Sequence, residues 1–252
     1  MEGFRETMKF LHNCSDEEIL KWQKSIGFNY SLLDYYNSAE EFDSDSAIIP
    51  DMVFAAVVNA DGFFSIGDSL HLITYEKEYV FNKEDYFAAD GNIKSLTEFS
   101  IIRDDISINS PDKSKKIVGL GWFDEFYYIT DYQRQKSSIW NVSYLAYASV
   151  GIRVKYEQEV GFLWSTRWDN QNINYGSVSG TVCYRTNWDP ADTELTLSGS
   201  NTGTDKTDIQ KTIVYYVGTG FIIYPWYVNG TFHIEVNEPE GYYNETHSYN
   251  WD

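Results

Sequence analysis

Apolar and polar residues alternate strongly in the second half of the chain, and this pattern predicts an antiparallel β-sheet. Three consecutive strands are predicted, over 139–148, 150–158 and 160–168. In the middle strand Arg153, Lys155 and Glu157 alternate with apolar neighbours. A period of two residues is the signature of a strand, because successive side chains point to opposite faces. We therefore expect a sheet with one face in water.

More strands follow, and they are separated by segments with loop composition. Strands are predicted over 177–186, 195–197, 212–217, 221–226 and 231–236. The segment 198–208 is rich in Gly, Ser, Thr and Asn, which predicts an exposed, mobile loop. The acidic and aromatic stretch from Glu238 is predicted to be a tail.

The stretch from Pro50 to Phe81 contains short apolar runs separated by tight turns at 59–62 and 67–68. Asn, Asp and Gly tolerate positive φ, so these turns predict a β-meander. His71 lies on one predicted strand, and we expect a half-solvated histidine there in preference to a ligand or a base.

Two helices are predicted before the meander. Ser15 and Glu18 have the spacing of a capping box, and Gly27 is a natural helix stop. A second helix is predicted over 31–42. The fold class is therefore mainly β, antiparallel and sandwich-like, with two short N-terminal helices. The predicted regions are a helical segment 1–46, a meander 47–116 and a sandwich-like part 117–252, or a single domain over 47–252.

Three segments resemble secreted proteins and lipoproteins of gut Bacteroidetes that form families of unknown function. The first is the hairpin Asn-Ala-Asp-Gly…Ile-Gly-Asp-Ser-Leu at 59–70, and the second is the Tyr-Ala-Ser-Val-Gly…Gly-Phe-Leu-Trp strand pair at 147–164. A weaker match covers 15–28. The resemblance implies secretion to the extracellular space or the outer-membrane surface, and an all-β body. It implies no catalytic residues. Because residues 1–6 lack the apolar core of a signal peptide, we expect such a segment to be absent from this chain.

Charge and composition narrow the classes of partner. The formal net charge is −19, which argues against nucleic acid and against anionic membrane surfaces. No apolar run reaches the roughly 18 residues of a membrane helix. The two cysteines, Cys14 and Cys183, are expected to be free, mostly buried thiols, although one disulfide between them stays an open alternative.

No catalytic motif stands out. There is no Gly-x-Ser-x-Gly elbow, and the four histidines, at 12, 71, 233 and 247, share no short motif. A shared site for His233 and His247 is disfavoured. Asp43 and Asp45 lack the glycine and the continuation of a calcium loop. We expect no catalytic residues, no metal and no cofactor. The enzyme question stays open, with a non-catalytic protein favoured.

Aromatic residues make up 17% of the chain, and this excess is the compositional feature that points to binding. Tyr and Trp stack on apolar faces of ligands and anchor protein interfaces. The candidates are in predicted loops and strand ends: Trp188, Trp168, Trp226 and Trp122. The hypothesis is a secreted or cell-surface, non-catalytic binding protein with a glycan or protein ligand. A structural, adhesive or phage-particle component and a polysaccharide hydrolase are the alternatives, and the oligomeric state is left open.

Overall fold

The fold is taken from a computed structural model, which describes residues 1–38, 49–74, 77–88, 97–100, 121–162, 165–188, 193–238 and 241–251. The chain divides into two compact units. Unit 1 comprises Met1–Ile102 together with Ser143–Tyr147 and Tyr216–Phe221. Unit 2 comprises Arg103–Val142, Ala148–Tyr215 and Ile222–Asp252. The mainly β, antiparallel prediction is confirmed.

Unit 1 contains short helices and a β-meander. The helices are α1 (Glu2–Leu11), α2 (Asp16–Ser25), α3 (Leu32–Ser38), α4 (Met52–Ala55) and α5 (Lys83–Ala88). The strands β1 (Phe63–Ile66), β2 (Ser69–Ile73), β3 (Lys77–Asn82) and β4 (Thr97–Ser100) pair antiparallel in chain order. The predicted meander is therefore present, with its turns at Gly62 and Gly67, which both have positive φ.

The helices follow their capping signals. The Ser15 side chain accepts from the Glu18 N–H while Glu18 caps the Ser15 N–H, so the predicted capping box begins α2. The second predicted helix is present as α3 up to Ser38, and the rest of its predicted range lies outside the described residues. Helix α1 was not predicted, and it buries Met8 and Leu11.

The apolar run at 53–58 forms helix α4 and a turn, where the sequence pattern suggested part of the meander. The reason is Asp51, a fully buried N-cap whose Oδ1 accepts from the N–H groups of Val53 and Phe54. A side-chain acceptor at this position satisfies the N–H groups that a helix start leaves unpaired. The cap therefore decides the local structure against the β-propensity of the run.

Two buried carboxylates hold the Ser143–Tyr147 segment inside unit 1. The Tyr147 hydroxyl donates to Asp51 Oδ2 at 2.5 Å and lies 2.8 Å from His12 Nε2. Glu78, which is fully buried, accepts the Leu145 N–H through Oε2 at 2.5 Å. Its Oε1 lies 2.7 Å from His71 Nδ1.

His71 therefore differs from its prediction. It is buried, stacked on Phe64 at 4.6 Å between ring centroids, and paired with Glu78. The expectation of a half-solvated histidine was wrong. Its partner Glu78 lies on the neighbouring strand β3, directly opposite Ile73, and the spacing of residues in the sequence did not show that pairing.

Unit 2 contains two packed sheets. The first has β5 (Gly121–Thr130), β6 (Gln133–Ser143), β7 (Tyr147–Phe162) and β11 (Asp208–Val217) in the order β11-β7-β6-β5, with β8 (Ser165–Gln171) paired to β7. The second has β9 (Ile173–Thr186), β10 (Leu195–Lys206), β12 (Ile223–Glu238) and β13 (Gly241–Trp251) in the order β10-β9-β12-β13. Strand β6 ends and strand β7 begins in the segment Ser143–Tyr147, which belongs to unit 1.

The inner faces of the two sheets form an apolar core. The second sheet contributes Val178, Val182, Val228, Phe232 and Ile234, and the first contributes Ile139, Ile152 and Val154, all almost completely buried. The two sheets approach closely at Gly176 and Gly180, because a Cβ at Gly176 would meet Ile209 and one at Gly180 would meet Ile152 and Ile213. Burial of each such side chain contributes about 1.5–3 kcal/mol, so this core is the main source of the unit's stability.

The prediction of one wet face for β7 was wrong. Arg153 and Lys155 are fully buried and Glu157 is 3% exposed. Charged groups tolerate burial when they are paired. Glu157 accepts from Arg134 Nε at 2.7 Å, and on the same face Lys136 Nζ lies 3.0 Å from Asp124. The alternation in β7 therefore reflects two buried faces, of which one is apolar and the other carries charged side chains.

Several predicted boundaries also shift. The predicted loop at 198–208 forms most of strand β10, and the predicted tail after Glu238 forms strand β13. The two predicted strands at 221–226 and 231–236 are one long strand, β12. The acidic segment 40–45 and the loop-like stretch 110–116 lie outside the described residues. In the part of the chain that is described, no helix is long and apolar enough to cross a membrane.

We expect Gly151→Ala to destabilise unit 2. The Trp140 indole, fully buried, lies directly over Gly151 and donates to Ser149 Oγ at 3.2 Å. A methyl group would overlap the ring, and overpacking of this kind costs about 1–3 kcal/mol. Chemical denaturation measures the change. Gly3→Ala, in open space on α1, is the control and should be neutral or stabilising.

We expect Tyr147→Phe to lower the free energy of unfolding by about 1–3 kcal/mol, because the buried Asp51 carboxylate loses its hydroxyl donor. Tyr132→Phe is the matched control, since its ring is 64% exposed. Equal unfolding midpoints in urea for the two variants would contradict the anchoring role of Tyr147.

Candidate functional site

The outer face of the second sheet carries a field of hydroxyl and amide side chains. Register places them in three rows that each cross all four strands. We call this set the polar face, and its rows are Ser198–Thr181–Asn229–Asn250, Ser200–Ser179–Thr231–Ser248 and Thr202–Ser177–His233–Thr246. Every one of these side chains is exposed or half-exposed. The rows repeat about every 6.8 Å along the strands, and neighbouring strands are about 4.8 Å apart.

Cross-strand hydrogen bonds hold many of these side chains in place. Thr181 and Ser198 hydroxyls are 2.8 Å apart, and those of Thr231 and Ser248 are 3.0 Å apart. Asn229 Nδ2 donates to Asn250 Oδ1 at 2.6 Å. Such pairs stabilise a sheet modestly and limit rotamer freedom. The polar face is therefore pre-organised, with lone pairs and donors still directed to solvent.

At one end of the polar face, aromatic and titratable groups form a network. His233 Nε2 lies 3.1 Å from Glu235 Oε1, and the Tyr242 hydroxyl donates to Glu235 Oε2 at 2.6 Å. Asn244 Nδ2 donates to the Tyr242 hydroxyl at 3.0 Å. The hydrogen bond from Tyr242, followed by that from His233, lowers the pKa of Glu235. The same bond to Glu235 raises the pKa of Tyr242.

The opposite end carries further rings and a thiol. Tyr227 lies on the outer face opposite Cys183, and its hydroxyl donates to Asn250 at 3.1 Å. Trp226 occupies the irregularity in β12 beside it, with ring centroids 6.4 Å apart. Trp188 follows the end of β9 and is 58% exposed.

The polar face is electrically neutral, apart from the titratable His233. None of its rows contains Asp, Glu, Lys or Arg, in a chain whose formal net charge is −19. Hydroxyls and amides both donate and accept hydrogen bonds. Such a surface suits a neutral ligand that is itself rich in hydroxyl groups. Among the described residues, no cluster of His, Cys, Asp and Glu could hold a metal ion.

The structure places the four candidate tryptophans on different elements. Trp188 and Trp226 are at the same end of the second sheet, in the segments that pair around Thr186 and Ile223. Trp168 is on β8, in the first sheet. Trp122 is on β5, where it lies opposite Trp140 of β6, and its side chain lies outside the described part of the chain.

Trp168 belongs to a stacked cluster. The Arg134 guanidinium lies over Trp168 at 4.0 Å and over Phe126 at 4.1 Å, while Arg134 also pairs with Glu157. Tyr128 meets Trp168 edge-on at 6.0 Å. A cation between two rings is a stabilising arrangement, so the structure gives Trp168 a packing role.

The histidines and cysteines have separate positions. His233 lies opposite Thr246 on the outer face, whereas His247 lies opposite Phe232 on the other face of the sheet and stacks on Tyr127 at 3.8 Å between ring centroids. These two histidines therefore share no site, as predicted. Both cysteines are free, as predicted, although each is half-exposed and not buried.

Sequence reasoning missed the polar face because it treated 198–208 as a loop. A signal was nevertheless present. Hydroxyl side chains occupy alternate positions from Thr196 to Thr204, at 196, 198, 200, 202 and 204. That is the period of a strand, and the glycines between them obscured it.

We expect Tyr242→Phe to raise the pKa of Glu235 toward its ordinary value, since the largest cause of its depression is removed. A depressed carboxyl pKa stabilises the fold at higher pH, and that contribution is lost as pH falls through the folded-state value. Carboxyl-detected NMR titration measures the shift. Glu18, whose pKa is lowered by Ser15, is an internal control and should not move.

No protein-family model matches the sequence, and a search of curated proteins returns no match.

Proposed function

We propose that this protein is a non-catalytic carbohydrate-binding protein that takes a neutral glycan on the polar face. The observation that supports this is the continuity of the three rows of hydroxyl and amide groups across four strands. Sugar hydroxyls both donate and accept, and they match groups that do the same. The cross-strand hydrogen bonds reduce the entropy that a ligand must remove on binding.

The composition of the polar face favours a glycan over a protein partner. Energetic centres of protein interfaces are rich in Trp, Tyr and Arg, and Ser and Thr are under-represented in them. The central row consists of Ser200, Ser179, Thr231 and Ser248 only. Nucleic acid is disfavoured by the absence of Lys and Arg from the rows.

Aromatic rings at the two ends can complete the site. Tyr175 and Tyr242 are exposed at one end, and Trp188 is exposed at the other. Aromatic rings present flat apolar surfaces with polar tips, which suits the apolar faces of sugar rings. The rings would bracket a glycan chain that runs along the strands. Trp188, the exposed candidate from the sequence, therefore remains part of the proposed site.

Secretion or display on the cell surface of a gut bacterium is part of the same proposal, and it is supported by the resemblance of the meander and strand-pair motifs. The hydrolase alternative requires two carboxylates facing each other across the bound sugar. The rows contain no carboxylate, and Glu235 stands at their margin beside His233. A binding role therefore accounts for the polar face better than hydrolysis does.

We expect the protein to be retarded in native gels that contain neutral polysaccharides such as glucans, mannans or arabinans. Ser179→Lys places a long charged side chain at the centre of the face and should abolish the retardation. Ser65→Lys, on an exposed position of β1 in unit 1, is the matched control and should bind as the parent does. Trp188→Ala should weaken binding without abolishing it.

Three outcomes would contradict the proposal. One is a flat response to every neutral polysaccharide. Another is equal retardation of the Ser179→Lys and Ser65→Lys variants, which would place binding elsewhere on the chain. Selective binding of acidic glycans would likewise conflict with the neutral character of the rows.

A further inference from the structure

Two tyrosines lie on the outer face of the β12–β13 pair, one near each end of the polar face. Tyr227 is on β12, and its hydroxyl donates to Asn250 Oδ1 of β13 at 3.1 Å. Tyr242 is on β13, and its hydroxyl donates to Glu235 Oε2 of β12 at 2.6 Å. Each side chain therefore reaches across the same two strands.

The antiparallel register relates the two tyrosines to each other. Asn250, which accepts from Tyr227, lies opposite Asn229, and Tyr242 lies opposite Asn237. Each hydroxyl therefore crosses to the partner strand and bonds a residue two positions closer to the middle of the pair. Because two residues of a strand cover about 6.8 Å, both rings lean toward the polar face.

Both rings are accessible, and hydrogen bonds hold both of them. Tyr242 is 59% exposed and Tyr227 is half-exposed. Asn244 Nδ2 also donates to the Tyr242 hydroxyl at 3.0 Å. A tyrosine that is held in this way offers a large apolar surface at little cost in conformational entropy. The strand pair therefore carries two flat surfaces that suit sugar rings.

The separation of the tyrosines defines the length of a ligand that contacts both. On β12, the acceptor Glu235 is six residues from Asn229, which lies opposite the other acceptor. Six residues of a strand cover about 20 Å, and the ten residues from Tyr227 to Asn237 cover about 34 Å. A ligand that contacts both rings is therefore a chain of several sugar units.

The surface between the two tyrosines matches such a chain. Two cross-strand pairs lie in the middle, Thr231 with Ser248 and His233 with Thr246. All four side chains are exposed or half-exposed. Hydroxyl groups both donate and accept hydrogen bonds, so they can bond to successive sugar hydroxyls along the strands.

We propose that the polar face binds a long, linear, neutral polysaccharide along the β12–β13 pair, with sugar rings stacked on Tyr227 and on Tyr242. This inference rests on the proposed function, and it adds the class of glycan and its path. A short oligosaccharide reaches one tyrosine only. A chain that spans both gains its second stacking contact within one complex, and this raises its affinity.

Oligosaccharides of increasing length test this path. The probes are linear oligomers from disaccharide to dodecasaccharide, prepared from a glucan, a mannan and an arabinan, and calorimetry measures their affinity for the full chain. We expect the affinity to rise steeply once an oligomer reaches both rings. Tyr227→Ala and Tyr242→Ala should each remove that rise and weaken binding of the longest probe about threefold to tenfold. Tyr30→Ala, at a 71% exposed position in unit 1, is the matched control and should keep the rise.

Phenylalanine variants separate stacking from a structural role of the hydroxyl groups. Tyr227→Phe and Tyr242→Phe keep the rings and should retain the rise in affinity with length. The inference is overturned if these variants lose the rise as the alanine variants do, or if an alanine variant keeps it. It is also overturned if short and long oligomers bind equally, and in these cases the proposed function still stands. Absence of binding to every neutral polysaccharide overturns both.

Discussion

Unit 1 depends on two buried carboxylates, Asp51 and Glu78. In the contacts described, neither of them is paired with a lysine or an arginine. Asp51 holds two backbone N–H groups and the Tyr147 hydroxyl, and Glu78 holds His71 and the Leu145 N–H. A buried carboxylate is costly unless hydrogen bonds replace its hydration. Each of these carboxylates therefore requires its partners, and one partner of each comes from Ser143–Tyr147. The N-terminal chain can complete its interior only with that distant segment in place.

Unit 2 achieves its stability in a different way, and this leaves one surface free for function. The inner faces of its two sheets supply the apolar core, so the outer face of the second sheet has no packing duty. That face could have carried the charges that dominate the composition. It carries instead hydroxyls and amides that are bonded to each other across strands. Because the apolar core lies between the two sheets, the outer face of the second sheet is free to be neutral and hydroxyl-rich on an acidic chain.

Much of the architecture could be predicted from the sequence because it rests on local signals. The capping box at Ser15, the positive-φ turns at Gly62 and Gly67 and the period-two strands all depend on residues close together in the chain. Predictions failed where a distant partner decided the outcome. Burial of His71 depends on the Glu78 carboxylate and burial of Glu157 depends on Arg134, and the alternation of residues cannot show either partner.

The candidate site was missed for a related reason. Composition alone predicts a loop over 198–208, because Gly, Ser, Thr and Asn are turn formers. Pairing with Val178, Thr181 and their neighbours on β9 overrides that preference. The tryptophan candidates have different environments. Trp188 is exposed near the polar face, whereas Trp168 stacks on Arg134. Exposure of a ring depends on tertiary packing, so the sequence could identify these tryptophans as candidates but could not show which of them are exposed.

The discontinuous make-up of unit 1 has a consequence for synthesis of the chain. Met1–Ile102 emerges from the ribosome long before Ser143–Tyr147 and Tyr216–Phe221, which belong to the same unit. Until Ser143–Tyr147 is synthesised, Asp51 lacks the Tyr147 hydroxyl and Glu78 lacks the Leu145 N–H, so the interior of unit 1 is incomplete. Contacts between distant segments slow folding, because the intervening chain must be closed into a loop first. The later segments of the chain, which lie between strands of the sandwich, thus also control when the first hundred or so residues become native.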